Sequence, residues 1–198
     1  MLLQIWAGMF YLLNKIFFSR AERSQDAKKR RWKIWSWVVY LIGLPAWLVV
    51  FSQKPNWIAF GVEAGGAPAM VLGLVIALRG KDKEPKWLKI FALIGALVGL
   101  WYSVKVFHGI TTINQVLEFG IAIGFLAGTY LLAKENSKGY LWFLLMNISN
   151  TALMYIQGYP WLALQQIISY TFVLDAYVIE KKNRKSTKLD GSVNVKKS

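Results

Sequence analysis

The chain has 198 residues, of which 56% are hydrophobic, and it contains no cysteine. Its apolar residues stand in long uninterrupted blocks that leave no room for a soluble catalytic domain, and the lack of cysteine excludes a disulfide framework and a thiolate metal site. The formal net charge of +14 suggests nucleic acid as a partner, but the positions of the charges along the chain argue against it.

Seven apolar blocks are long enough to cross a membrane as helices, because about 30 Å of hydrocarbon requires roughly 20 residues. In chain order they cover about 2–19, 34–51, 57–78, 87–107, 111–133, 140–157 and 160–179. We therefore expect an all-α integral membrane protein with seven transmembrane helices and no enzymatic activity.

Basic residues are concentrated in alternate loops. Seven, five, two and seven of the 24 Lys and Arg lie in 20–33, 79–89, 134–138 and 181–197, respectively. The two intervening loops hold only Lys54 and Lys105. This alternation is the positive-inside pattern, and it predicts an outside N-terminus and a cytoplasmic C-terminus. The lipid bilayer, rather than nucleic acid, is the expected partner of these charges.

The first block, 2–19, has neither a basic start nor a small-residue cleavage site, so we expect a span rather than a cleaved signal peptide. An amphipathic helix on the membrane surface is the alternative for this block. Lys15 interrupts it, and we expect this long side chain to reach toward the basic end of the helix.

Two short motifs indicate an internal repeat. Gln53 precedes Trp57-Ile58-Ala59, and Gln157 precedes Trp161-Leu162-Ala163, at an offset of 104 residues. Two three-helix units joined by one extra helix have the same orientation, as a parallel repeat requires. The expected organisation is a three-helix unit over 1–79, a linker helix over 87–107, a second three-helix unit over 111–180 and a disordered basic tail over 181–198.

Two carboxylates lie inside the blocks. Glu63 is about 9 Å from the start of its predicted helix, where it either lines a site or reaches the membrane rim. Glu118 shares a helix face with Asn114 and Gln115. An intramembrane carboxylate indicates a functional site by default; the alternative is a Glu bonded to a neighbouring helix. The only histidine, His108, has no other metal-ligating residue near it in sequence, so we expect no metal site.

Amides and aromatic rings share a face of the sixth block. One helical stripe carries Tyr140, Phe143, Asn147, Asn150, Met154 and Gln157. Gln165 and Gln166 follow in the seventh block. Buried amides are costly in a bilayer unless they bond to each other or line a wet cavity. Together with rings that can stack, they predict a site for a flat polar molecule, and a positive charge on that molecule would add cation–π attraction. No phosphate-binding loop or catalytic motif is present, so we expect no cofactor and no catalytic residue.

The segment 118–178 resembles the C-terminal unit of the PnuC family, bacterial inner-membrane carriers of nicotinamide riboside. The family pattern is an acidic residue, then Trp-x-x-Trp-x-x-x-Asn, then Gln-Gly ten residues after the Asn. The matching positions here are Glu118, Tyr140, Phe143, Asn147, Gln157-Gly158 and, for a polar residue in the next helix, Gln165. Both tryptophans of the pattern are replaced, and the first half of the chain shares only the topology.

The resemblance implies a SWEET-like architecture of three plus one plus three helices and import by facilitated diffusion, with the vitamin trapped by phosphorylation in the cytoplasm. In that site Asn147 and Gln157 would read polar edges of the substrate. Tyr140, Phe143 and Trp161 would stack on it, and Glu118 and Gln165 would close the site.

Three alternatives remain open at the level of sequence. The first is a related importer of thiamine, riboflavin or a deoxynucleoside. The second is a membrane scaffold in which the polar stripe only holds helices together. The third is proton-coupled transport through Glu63 or Glu118. The sequence also leaves homo-oligomer formation open.

Overall fold

The computed structural model describes residues 2–53, 57–80, 83–106, 113–158 and 160–195. His108 and residues 196–198 of the expected tail lie outside this part of the chain. The described residues are all-α, and their helices are α1 (Leu2–Glu22), α2 (Asp26–Gln53), α3 (Trp57–Arg79), α4 (Lys86–Val106), α5 (Ile113–Ala133), α6 (Lys138–Ile156) and α7 (Pro160–Val195).

Six of these helices form a closed ring. Each helix contacts the next in the order α1, α2, α3, α5, α6, α7, and α7 contacts α1. Helix α4 lies outside the ring, against α3 and α5. We call α1–α3 the first half and α5–α7 the second half. The two halves have equivalent neighbours in the ring: α1 corresponds to α5, α2 to α6 and α3 to α7.

The turns between helices have recognisable local causes. Gly80 and Gly158 have φ of 94° and 76°, a left-handed conformation that glycine adopts at low cost just after a helix. Helix α7 begins at Pro160, where the missing amide hydrogen is not needed. We call the end of the ring where α1, α3 and α5 end and α2 and α6 begin the basic end. The opposite end of the same helices is the neutral end.

Glycine allows α5 and α6 to approach closely. A Cβ atom on Gly124 would lie 2.7 Å from the carbonyl oxygen of Trp142, and one on Gly128 would lie 2.4 Å from the ring of Phe143. Both distances are too short for real contacts. Glycines therefore let α5 and α6 pack closely, a common mode between helices in membranes.

In the described part of the chain, four helices contain segments long and apolar enough to cross a membrane: Asp26–Val49, Phe60–Arg79, Ile113–Ala133 and Pro160–Arg184. The helical membrane class expected from sequence agrees with this finding. Membrane crossing by α1, α4 and α6 remains a prediction.

Helices α2 and α7 are longer than expected, because each continues beyond its apolar block. Helix α2 begins at Asp26, inside the basic connector. Helix α7 continues to Val195, where a disordered tail over 181–198 was expected. An existing helix adds residues far more easily than a new one starts, and Lys and Arg are good helix formers. An ion pair between Arg184 and Glu180, one turn apart, supports the first turn of this extension.

Candidate functional site

A cavity lies at the centre of the ring, and each of the six ring helices contributes to its wall. The space open to the centres of water-sized molecules is about 70 Å³, room for on the order of five waters. The wall combines charged, amide, hydroxyl and aromatic side chains with aliphatic ones.

Three charged side chains contribute to the wall: Lys15 on α1, Glu63 on α3 and Glu118 on α5. Lys15 and Glu63 are only 2% and 8% exposed, whereas Glu118 is half-buried. Two carboxylates against one ammonium give the wall one formal negative charge. In a low-dielectric site such a charge attracts a cation much more strongly than it would in water.

The carboxylate of Glu63 accepts a hydrogen bond from the hydroxyl group of Tyr11. The ammonium of Lys15, one turn further along α1, has no hydrogen-bond acceptor among the described residues. It lies instead 3.6 Å from the ring centroid of Phe143 and 4.8 Å from that of Tyr40. The expectation that Lys15 reaches the basic end is therefore incorrect: the aromatic rings hold its ammonium inside the bundle by cation–π attraction.

Amides from α7 form a further part of the cavity wall. Gln165 donates to the backbone oxygen of Gly8 and to the hydroxyl oxygen of Ser169, both at 3.3 Å. Gln166 donates to the side-chain oxygen of Gln165 at 3.1 Å. Asn150 from α6 also lines the cavity. The wall thus offers amide groups that can exchange their present partners for polar groups of a ligand.

A second cavity lies at the basic end, with about 200 Å³ open to the centres of water-sized molecules. It is lined by Glu22, Trp37 and Tyr140 among others. Tyr40 and Phe143, which we call the partition, line neither this cavity nor the central one and are fully buried. Tyr40 contacts rings on both sides, Tyr11 at 4.7 Å and Trp37 at 6.1 Å between centroids. The partition therefore separates two polar spaces along the axis of the ring.

Polar bonds join the two halves mainly at the basic end. The ammonium of Lys33 lies 2.8 Å from the carboxylate of Glu135. The hydroxyl of Tyr140 donates to Glu22 at 3.0 Å, and Glu22 also pairs with Lys29 at 2.6 Å.

Arg23 and Asp175 form a further ion pair between the halves. The hydrogen bond to Asp175, and then the charge of that carboxylate, raise the pKa of the Arg23 guanidinium above its ordinary value. Toward the neutral end, the bond from Gln165 to Gly8 joins the halves. Among the described residues, more polar bonds therefore join the halves at the basic end than at the neutral end.

The structure distributes the seven residues predicted for the site among five places. Glu118 and Gln165 line the central cavity. Tyr140 lines the second cavity, and Phe143 belongs to the partition.

Asn147 is fully buried next to Phe143, whose backbone oxygen accepts its amide hydrogen at 2.7 Å, while its own side-chain oxygen has no partner among the described residues. Gln157 is exposed just after α6, and Trp161 is 80% exposed near the start of α7. Contact with a substrate remains a prediction for all seven residues.

The sequence-based reasoning missed Tyr11, Trp47 and the inward position of Lys15. A signal was available for the last of these, because Lys15 lies about 20 Å from the start of α1. A charged side chain that deep in a predicted membrane helix indicates a functional site, and the same reasoning had been applied to Glu118. The inward position of Trp47 was not predictable, because nothing in an apolar block distinguishes a tryptophan that faces inward from one that faces outward.

Comparison of the chain with protein-family models, with curated proteins and with solved structures found no match.

Proposed function

We propose that the chain is a transporter of the bacterial inner membrane that imports nicotinamide riboside by facilitated diffusion, without catalysing a reaction. The observation that carries this proposal is the central cavity. Helices of both halves line it, and two carboxylates, one ammonium, several amides and aromatic rings meet there. The substrate and the membrane come from the resemblance to the PnuC family.

The charge of the wall favours a cationic ligand. Glu63 and Glu118 together carry one more charge than Lys15 can balance, so a ligand with a single positive charge makes the cavity neutral. Nicotinamide riboside carries such a charge on its ring, and so does thiamine, which is the second candidate. Riboflavin and deoxynucleosides are neutral and gain nothing from this field.

The partition supports transport rather than a merely structural role for the polar groups. If the amides served only to hold the helices together, polar cavities on both sides of the partition would not be needed. A nucleoside has several times as many non-hydrogen atoms as the waters that fit the central cavity, so a whole ligand requires the halves to move apart. Rocking of one half against the other would open the cavity at one end and then at the other.

The membrane arrangement belongs to the same proposal. All seven helices would cross the bilayer in a SWEET-like order of three, one and three, with the basic end in the cytoplasm and the N-terminus outside. Because the chain has no cysteine, single cysteines can report this orientation without background. A cysteine at Ser24 should be labelled only from the cytoplasm, and one at Ser52 only from outside. Labelling of both from the same side would contradict the arrangement.

Counterflow in liposomes tests transport itself. Liposomes that contain the purified chain and unlabelled nicotinamide riboside should accumulate labelled nicotinamide riboside transiently, whereas empty liposomes should not. Thiamine in the outer solution should compete, and riboflavin should not. A chain that binds no ligand and moves no label would be a scaffold, and the transport proposal would then fail.

A further inference from the structure

Tyr11, Lys15 and Glu63 form a buried cluster in the wall of the central cavity. Tyr11 and Lys15 lie four residues apart on α1 and therefore share a face. Glu63 reaches them from α3 through its bond with the Tyr11 hydroxyl. The three side chains belong to residues only 6%, 2% and 8% exposed, respectively.

Lys15 and Glu63 form no ion pair, although both are charged groups of the same buried cluster. The ammonium rests on aromatic rings, and the carboxylate has a hydroxyl donor. Holding opposite charges apart in a low-dielectric interior is unfavourable relative to their neutral forms. A carboxylate in this position therefore gains from taking up a proton whenever no other cation is near.

Few other titratable groups face Glu63. Helix α1 contributes Tyr11 and Lys15, α2 contributes Tyr40, and α5 contributes Glu118 across the cavity. Among the described residues that line the cavity, α4 contributes none and α7 contributes only uncharged amides and a hydroxyl. The protonation of Glu63 therefore depends mainly on Lys15, on Glu118 and on whatever fills the cavity.

Building on the transport function proposed above, we infer that Glu63 is a proton-binding site that competes with the cationic ligand. When the ligand enters, the carboxylic acid of Glu63 gives its proton to water, and the resulting carboxylate faces the ligand's positive charge. When the ligand leaves, Glu63 takes up a proton again. Proton release therefore accompanies ligand binding, and proton uptake accompanies ligand release.

The cluster selects a proton rather than a metal ion. Hard metal cations require several oxygen ligands, whereas this cluster offers one carboxylate and one hydroxyl. In the described part of the chain no three His, Cys, Asp or Glu side chains come together. A proton needs only the one carboxylate and the Tyr11 hydroxyl beside it.

The test measures binding to the purified full-length chain over a range of pH, with nicotinamide riboside and its neutral dihydro form as matched probes. Acidification should weaken binding of the cationic probe by up to about tenfold per pH unit and leave the neutral probe unaffected. In Glu63→Gln this pH dependence should vanish. In Glu118→Gln it should persist, although binding is weaker at every pH. A pH-independent native protein, or a Glu63→Gln variant with native pH dependence, would overturn the inference.

Infrared spectra of the ligand-free protein separate this inference from the choice of substrate. A carboxylic-acid band that disappears as the pH rises, and that is absent from Glu63→Gln, would establish the proton site even if neither probe binds. In that case the proposed substrate fails and the proton site stands. An identical band in both proteins would refute the site whatever the probes do. Lys15→Met should move the loss of the band to higher pH, because the ammonium no longer favours the carboxylate.

Discussion

The ammonium of Lys15 lies on the face of the Phe143 ring, 3.6 Å from its centroid. Lys15 belongs to the first half and Phe143 to the second, so this contact joins the halves at the partition. At this contact the polar wall of the central cavity also meets the partition. Any movement of the halves that opens a passage between the two cavities must break this contact.

The Lys15–Phe143 contact should be measurable as a coupling between two substitutions. Lys15→Met and Phe143→Leu each remove one partner, and a double-mutant cycle in detergent unfolding should give a coupling free energy of about 0.5–2 kcal/mol. The control cycle pairs Phe143→Leu with Lys134→Met, because the Lys134 ammonium lies over Tyr130 instead. The control should give a coupling near zero. Equal coupling in both cycles would contradict a specific contact.

Close packing of α5 on α6 should make Gly124 intolerant of any side chain. A Cβ atom there would lie 2.7 Å from one backbone atom and 2.8 Å from another, and backbone atoms cannot move aside as a flexible side chain can. Gly124→Ala should therefore lower the free energy of unfolding by about 1–3 kcal/mol. In Gly8→Ala the new methyl group would lie 3.9 Å from Gln165, an ordinary contact, and this matched variant should unfold like the native protein after correction for helix propensity.

Residues that line the central cavity should affect uptake far more than the exposed residues from the same sequence pattern. Glu118→Gln should reduce the kcat/KM for nicotinamide riboside about 10- to 100-fold, because the loss of one contact to a charged group costs roughly 1.5–3 kcal/mol. Gln165→Ala should reduce it by a smaller factor. Gln157→Ala and Trp161→Ala change exposed side chains outside the central cavity and should reduce uptake less than Glu118→Gln does. Loss of uptake in the latter pair, with normal uptake in Glu118→Gln, would place the site elsewhere.

The helical class was predictable because long apolar blocks in a chain without soluble-domain composition have few alternatives. The same reasoning could not set the end of α7, where charged residues continue a helix that apolar residues began. The length of an apolar block predicts which part of a helix lies in hydrocarbon. It does not predict where the backbone hydrogen bonding of that helix ends.

The site was predictable only in part, and the stripe on α6 shows why. From Tyr140 to Gln157 it runs about 25 Å along the helix axis, which is the whole length of α6. A helical stripe gives the direction of a side chain but not its depth. The structure places Tyr140 at the second cavity, Phe143 in the partition, Asn150 at the central cavity and Gln157 in solvent-exposed surface. Lys15 was misplaced for a related reason, since its direction depends on rings from two other helices.

The ion pair between Lys33 and Glu135 should hold the basic end closed. It joins α2 to the turn after α5, with an N–O distance of 2.8 Å and both side chains partly exposed. Exposed pairs contribute about 0.2–1 kcal/mol, so its loss should raise the population open at the basic end by up to about fivefold. Ala133 lines the second cavity and is 1% exposed in the closed arrangement. A cysteine placed there, the sole cysteine in the protein, should react with a charged thiol reagent only when this end opens.

Lys33→Met should therefore speed labelling of the cysteine at position 133 by up to about fivefold, and the reversed pair Lys33→Glu with Glu135→Lys should restore the native rate. Lys89→Met is the control, because Lys89 pairs with Glu84 near the start of α4, outside the ring, and should not change labelling. Faster labelling in Lys89→Met as well would indicate a general loosening caused by lost charge. An unchanged rate in Lys33→Met would mean that the aromatic partition and the bonds of Glu22, rather than this ion pair, keep the basic end closed.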